Sequence, residues 1–400
     1  MASMQLTLLK DIAAKTGAYC LDGTPAAYYF KHGSNANSTK WVLFIQGGGW
    51  CYNEEDCARR AQTSLGSSAR MNHTFTVGGP LGEDPVNNPN FHDWNHVMLG
   101  YCDGASFSGN VENPIDVGGK KIYFRGFRNL KAIMTHLLTK NGLNKATEVL
   151  LCGGSAGGLS VYLHADQIGE MLPSTVKRFK AIPMSGVFLD HPNAEGVPVY
   201  TPEIEKVFNM QNCSGGVNVH CLVSKSPRYM YMCMLAENTM QHTSTPLFIM
   251  NSKYDSWSTQ CILGGEPETK PCSADGNCSA VPGWAACEES STQCTPEQWK
   301  QISEWGDSFS DRIESNAAAS ARGNGLFEYS CHKHVAEFSS KWGVIKVGGT
   351  TMRDAISKWY FSKDEPASKH TYKDCRNTNN YCCNPTCCES SAIPQENYFY

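Results

Sequence analysis

Ser155 stands in the run Gly153-Gly154-Ser155-Ala156-Gly157-Gly158, between the apolar stretch Val149-Leu150-Leu151-Cys152 and a helically periodic segment from Leu159 to Ile168. Strand, glycine turn and helix in that order hold a serine hydroxyl on a strained corner, where it can act as a nucleophile. The short string alone is common by chance, and its flanking elements are what give it weight. A serine used in this way needs a base to take its proton, a carboxylate to orient the base, and backbone N–H groups where an oxyanion forms.

On sheets of this kind the partners follow in chain order, an acid and then a histidine. The first acid to emerge from a well-formed apolar strand after Ser155 is Asp255, in Phe248-Ile249-Met250-Asn251-Ser252-Lys253-Tyr254-Asp255. By position alone it reads equally well as a loop aspartate capping a turn. The late histidines are His332, His334 and His370, the first two following a short strand-like run from Leu326 to Tyr329. Position selects that loop without choosing between His332 and His334. The H-x-H spacing also suits a metal, but no third ligand stands near it in sequence, and neither a metal nor a cofactor is expected.

Gln46-Gly47-Gly48-Gly49-Trp50-Cys51 follows directly on the first buried strand. Three glycines let the backbone come close to a ligand, and with the N–H of Ala156 they would surround a carbonyl oxygen. The run is no P-loop, because no Lys-Ser/Thr follows it. Gly48 and Trp50 would border the substrate, with Trp50 at the mouth of the site offering its face to a sugar ring.

These residues need a sheet to hold them. Trp41 to Ile45, His96 to Tyr101, Glu148 to Cys152, Phe179 to Met184 and Pro246 to Met250 read as buried parallel strands. Asn129 to Lys140, Leu159 to Met171 and Pro202 to Phe208 read as helices between them. Thr295-Pro296-Glu297-Gln298 is a capping box opening a helix that should run to about Arg322. Gly348 to Thr351 introduces another, with Met352, Ile356, Trp359 and Tyr360 on its apolar side. The alternation predicts an α/β-hydrolase-like, doubly wound, mostly parallel sheet with helices on both faces.

The chain has 400 residues and no linker or repeat, so one enlarged catalytic domain spanning 1–400 is expected. Its net charge of −4 gives no reason to seek a nucleic-acid partner. No apolar run reaches the roughly 20 residues needed for a membrane span. Nineteen cysteines point instead to an oxidising compartment and a disulfide framework. Asn37-Ser38-Thr39 and Asn72-His73-Thr74 lean the same way as N-glycan acceptors, with Asn212 and Asn277 in feebler ones. A secreted protein is therefore expected, its signal peptide not included in this sequence. A Cys-rich stretch at about 258–294 reads as a disulfide-pinned surface insertion rather than core, and about 375–388 as a disulfide-bonded tail. The odd count leaves an unpaired thiol, for which Cys152 in the nucleophile strand is the candidate.

The chain resembles the plant-type pectin acetylesterases and the Notum-related lipid deacylases. The likeness rests on Leu6-Thr7-Leu8-Leu9, Tyr19-Cys20-Leu21-Asp22-Gly23, Gly47-Gly48-Gly49-Trp50-Cys51 and Tyr101-Cys102-Asp103-Gly104-Ala105-Ser106-Phe107-Ser108-Gly109. It continues through Tyr123-Phe124-Arg125-Gly126, the Ser155 turn, Ser185-Gly186-Val187-Phe188-Leu189-Asp190, Tyr254-Asp255-Ser256-Trp257 and Cys383-Asn384-Pro385-Thr386-Cys387, in one order over nearly the whole chain. The resemblance implies Ser155 as nucleophile and Asp255 as orienting acid. It implies His334 rather than His332 as base, from the Ser-Cys-x-x-His setting of Ser330, Cys331 and His334. The oxyanion donors it implies are the amides of Gly49, Trp50 and Ala156. It also implies bridges Cys51–Cys57 and Cys20–Cys102, and one from Cys331 to the C-terminal cysteines. Three positions depart from the plant pattern: Gln46 replaces a glutamate, Gly154 stands where cysteine is frequent, and Val335 follows the histidine where another cysteine is usual. The implied activity is that of a serine esterase acting on an acetylated cell-wall polysaccharide, foremost pectin; a monomer is expected. The alternatives are removal of a longer acyl chain from a lipidated protein, an acetylxylan-type esterase, or a non-catalytic wall-binding protein.

Overall fold

A computed structural model describes residues 3–35, 37–266, 278–289, 293–376 and 384–388. In chain order its strands are β1 (Met4–Leu8), β2 (Ala27–Lys31), β3 (Lys40–Ile45), β4 (Thr74–Phe75), β5 (Asn95–Leu99), β6 (Ile115–Val117), β7 (Lys120–Ile122), β8 (Glu148–Gly154), β9 (Arg178–Met184), β10 (Phe248–Ser252), β11 (Gly325–Tyr329), β12 (Lys346–Val347), β13 (Thr350–Thr351) and β14 (Thr371–Lys373). Ten of them make one sheet in the order β14-β11-β10-β9-β8-β3-β5-β2-β1-β4. From β14 across to β5 every neighbouring pair runs parallel. At the other edge β2, β1 and β4 are added antiparallel, which the apolar runs did not foretell.

The parallel strands are apolar throughout because both of their faces are covered. Along β3, Trp41, Leu43 and Ile45 belong to one core, shared with the helices Gly126–Lys140, Ala156–Met171 and Pro296–Ser315. Val42 and Phe44 belong to the other core, under the helix Met352–Phe361. This alternation is the period-2 geometry of a strand read on both sides. The helix after Ser155 presses hard onto the sheet: a Cβ at Gly157 would lie 2.1 Å from the Ile45 carbonyl oxygen, and one at Gly158 2.4 Å from that of Met184. That approach accounts for the glycine pair.

Thr295 and Gln298 form the expected capping box, but the helix ends at Ser315 rather than near Arg322. Asn316 turns extended there, and its side chain accepts from the Ala318 amide to start a separate short helix, Ala317–Ser320. The cysteines form the bridges Cys20–Cys102, Cys51–Cys57, Cys221–Cys233, Cys261–Cys278, Cys287–Cys294 and Cys331–Cys387. Cys152 is free and buried as expected, and so is Cys213. The Cys-rich insertion is pinned by two of these bridges; Pro282, Gly283, Ala285 and Ala286 are exposed, but it is not wholly superficial. Cys261, Val281, Trp284 and Cys287 join the larger core, because the bridges fold the segment back against the helix Pro296–Ser315, where Gln298 Nε2 donates to the Gly283 carbonyl at 3.0 Å. Asn277 and residues 377–383 of the tail lie outside the described residues, and Asn37 and Asn72 are exposed. Among the described residues no helix is long and apolar enough to cross a membrane.

Candidate active site

β8 ends at Gly154, and the chain turns through Ser155 with φ 58° and ψ −128°, a conformation that costs a non-glycine residue energy and is held only by its surroundings. The holding contacts are the Ser155 amide donating to the Met184 carbonyl at 3.1 Å and the Leu159 amide donating to the Ser155 carbonyl at 2.9 Å. Gly47 packs directly beside this corner: a Cβ there would sit 2.3 Å from the Gly154 carbonyl oxygen and 2.9 Å from Ser155 Cβ. The glycine loop and the serine corner are thus one packed unit.

Asp255 lies just beyond β10 and is buried, with both oxygens engaged. Its Oδ1 accepts from the Ser258 amide at 2.9 Å and its Oδ2 meets His334 Nδ1 at 2.7 Å. Asp255 thus caps the turn through one oxygen and contacts the His334 ring through the other. His334 Nε2, the opposite ring nitrogen, is buried with no hydrogen-bond partner among the described residues. His332 Nε2 instead meets Thr259 Oγ1 at 3.1 Å, and burial pushes this imidazole down to about 4. His370 is farther along, paired with Glu365 at 3.0 Å. Of the three histidines, His334 is the one in hydrogen-bond contact with Asp255.

Behind His334 lies a cluster that sequence reasoning missed. Val335, a β-branched residue, takes φ 51°, and its amide donates to Ser185 Oγ at 3.1 Å. Ser185 Oγ donates in turn to the Glu337 carboxyl at 3.2 Å, and Tyr329 OH donates to Glu337 Oε1 at 3.0 Å. Glu337 is fully buried, and that burial pushes its carboxyl up to about 7, against the lowering effect of its hydrogen bonds and of His334. A glutamate in a loop of mixed polarity carries no sequence signal for such a role.

In the loop after β3, Gly48 has φ 133° and Gly49 φ 63°, which only glycine adopts readily. The carbonyls of both residues are taken up by side chains. Arg60 Nη2 donates to the Gly48 oxygen at 2.7 Å, and Tyr101 OH to the Gly49 oxygen at 2.7 Å. Among the described residues, the Gly49, Trp50 and Ala156 amides donate to no protein acceptor. The Cys51–Cys57 bridge closes the loop from below, as Cys331–Cys387 ties down the histidine loop.

Trp50 does not stand at a mouth with an open face. It is 3% exposed, and its ring lies in an aromatic group with Phe188, Tyr200 and Trp257 at centroid distances of 5.0 to 5.7 Å. Its Nε1 donates to Ser106 Oγ at 2.8 Å, which draws the indole inward. Trp50 is a wall, not a stacking platform. The rings of Phe188 and Trp257 come to 6.4 and 6.5 Å of the His334 ring, so this wall borders the histidine.

A glycine-flanked corner after a central parallel strand, with a carboxylate-paired histidine arriving from later loops, belongs to the α/β-hydrolase-like enzymes. The Pectinacetylesterase family model matches residues 1–388. Pectin acetylesterase 11 of Arabidopsis thaliana is 33% identical over 391 residues, covering 96% of this chain and 93% of its own. The Palmitoleoyl-protein carboxylesterase NOTUM of Schmidtea mediterranea is 26% identical over 366 residues, covering 88% of this chain and 62% of its own. Among solved structures, the Wnt deacylase Notum from Drosophila has the same fold, with a TM-score of 0.76 at 23% identity, covering 96% of this chain and 99% of its own. The chain belongs to the pectinacetylesterase family and is a carboxylic ester hydrolase.

Proposed function

We propose that this protein is a secreted serine esterase that removes acetyl groups from a cell-wall polysaccharide, pectin foremost. The observation that carries the reading is the 2.7 Å contact between His334 Nδ1 and Asp255 Oδ2, with Nε2 left unbonded, in a chain that matches the pectinacetylesterase family over residues 1–388. In this mechanism Ser155 Oγ attacks the acetyl carbonyl while His334 Nε2 takes its proton, and Asp255 stabilises the imidazolium that results. The Gly49, Trp50 and Ala156 amides receive the negative oxygen of the tetrahedral intermediate. Collapse releases the sugar hydroxyl, protonated by His334, and leaves an acetyl-Ser155 ester. Water activated by the same histidine then frees acetate. None of these steps calls for a metal or a cofactor. The bridges and the exposed Asn37 and Asn72 support secretion.

The ring cluster bears on the acyl group. Phe188 meets both Trp50 and Trp257 edge-on at 5.0 Å, so these rings fill one another's faces, which supports a short acyl chain over a long one. The test is acetate release from acetylated pectin, acetylated xylan and triacetin, with wild type and Ser155→Ala side by side. Serine-dependent release, strongest on pectin, is expected; activity surviving in Ser155→Ala would overturn the mechanism. Across p-nitrophenyl esters the rate should peak at acetate, and a peak at octanoate or beyond would transfer the site to lipid substrates.

A further inference from the structure

The groups assigned to the oxyanion come from two separate pieces of chain, the loop after β3 and the start of the helix after β8. Such donors are effective only when aimed within a few tenths of an ångström, so something must hold the two pieces in register. Ser106 touches both. Its Oγ accepts from Trp50 Nε1 at 2.8 Å and donates to the Ala156 carbonyl at 2.8 Å. Its amide donates to Tyr101 OH at 3.0 Å, and that same phenol donates to the Gly49 carbonyl at 2.7 Å. All three residues that would supply oxyanion amides are therefore bonded to Ser106 directly or through one hydroxyl.

The site is built rather than incidental. Ser106 is fully buried and holds φ 52°, with Phe107 beside it at φ 61°. Two consecutive non-glycine residues in the left-handed region persist only where the surroundings over-determine them. Here the buried Asp103 carboxylate accepts from the Ala105 and Phe107 amides at 3.2 and 3.0 Å, and His164 Nε2 meets the Ser106 carbonyl at 3.0 Å. Burial pushes His164 down to about 4, so its ring is neutral at ordinary pH and donates from Nε2. A hydroxyl has one proton and two lone pairs, so it can accept from an indole N–H and donate to a carbonyl at once. No apolar side chain of that size can bridge those two groups.

We propose that Ser106 is the positioning residue of the oxyanion site, its hydroxyl locking the Trp50 loop to the Ala156 turn so that their amides converge on one point. This rests on the assignment of the Gly49, Trp50 and Ala156 amides under Proposed function. Ser106 touches no substrate; it acts through the residues it bonds.

Four variants test it on p-nitrophenyl acetate: the singles Ser106→Ala, Ser106→Gly and Trp50→Phe, and the double Trp50→Phe/Ser106→Ala. Ser106→Gly is the informative single, since glycine relieves the positive φ while deleting the hydroxyl, which separates aim from fold. The expected result is a kcat lower by roughly 10- to 100-fold in both Ser106 singles, with KM within about twofold of wild type. A boronic acid that mimics the tetrahedral intermediate should lose affinity in the same proportion as kcat/KM. The double variant, which leaves no unpaired indole N–H, should be no slower than the slower single. A kcat within about twofold of wild type in Ser106→Gly, or a loss not matched by the boronate, would overturn the role. Ser155→Ala, run alongside, separates the two readings. Its inactivity together with wild-type kcat in Ser106→Gly overturns the Ser106 role alone. Activity that survives Ser155→Ala overturns both, because no acyl centre then remains for the amides to serve.

Discussion

Glu337→Gln should make the protein more stable at neutral pH and less pH-sensitive. The wild-type carboxyl is fully buried, hydrogen-bonded by Ser185 and Tyr329, and burial pushes it from the ordinary 4.5 up to about 7. A group that holds its proton more tightly in the fold than in the unfolded chain adds stability that is complete below about 4.5. That stability is lost as the pH rises through about 7. Moving a titration point that far is worth about 3 kcal/mol, a large part of a typical folding free energy. Glutamine keeps an acceptor for the Tyr329 and Ser185 hydroxyls but has no proton to lose. Urea unfolding curves, followed by tryptophan fluorescence with the disulfides intact, would be compared between about pH 4.5 and pH 7.5. The difference in stability between variant and wild type should grow by about 3 kcal/mol in the variant's favour over that range. If the two proteins instead keep a constant difference, Glu337 is already ionised at low pH, and burial is not what governs it.

Asp255→Asn should keep the fold, since the new side chain still accepts from the Ser258 amide, while kcat on p-nitrophenyl acetate falls by about 10³- to 10⁴-fold from loss of the correct His334 tautomer. Unchanged kcat would remove Asp255 from the mechanism. Gly154→Ala places a Cβ 2.1 Å from the ring edge of Phe338, so thermal unfolding should show a cost on the order of 2 kcal/mol, recovered in part by Phe338→Leu. An unchanged melting temperature in the single variant would show that Phe338 moves aside freely.

The parallel half of the sheet was legible because strands covered on both faces are written as unbroken apolar runs, as Val149 to Cys152 and Trp41 to Ile45 are. The antiparallel edge was not. β1 is only five residues long and partly exposed, and β4 is only two, so neither leaves a pattern that separates it from loop. At the candidate site, Ser155 and Asp255 could be singled out because each follows a recognisable strand. The histidine could not be chosen by position, since His332 and His334 share one loop. The choice falls to the left-handed turn at Val335 and the Asp255 contact, both set by distant chain. Ser106 and Glu337 left no trace as chemistry, because their partners lie 50 and 152 residues away in sequence. Trp50 was placed on the wrong side of the surface because a tryptophan beside glycines looks like a platform, and its inward pull comes from a hydroxyl 56 residues on.

The strand order carries a consequence for how the molecule is made. Everything from β9 to β4 in the sheet, seven adjoining strands, is encoded in residues 4–184, and β10, β11 and β14 then join one after another on the β9 side. No late strand has to wedge between two early ones. A chain emerging from the ribosome can therefore complete a continuous sheet bearing the Ser155 corner long before Asp255 and His334 exist. At the usual ~5–20 residues per second the Ser155 corner precedes His334 by on the order of ten seconds or more, so under the proposed mechanism the nascent chain is inert. Until β10 (Phe248–Ser252) is made, β9 is an unpaired apolar edge, and it is there, rather than at either end of the finished sheet, that chains paused in synthesis would stick to one another.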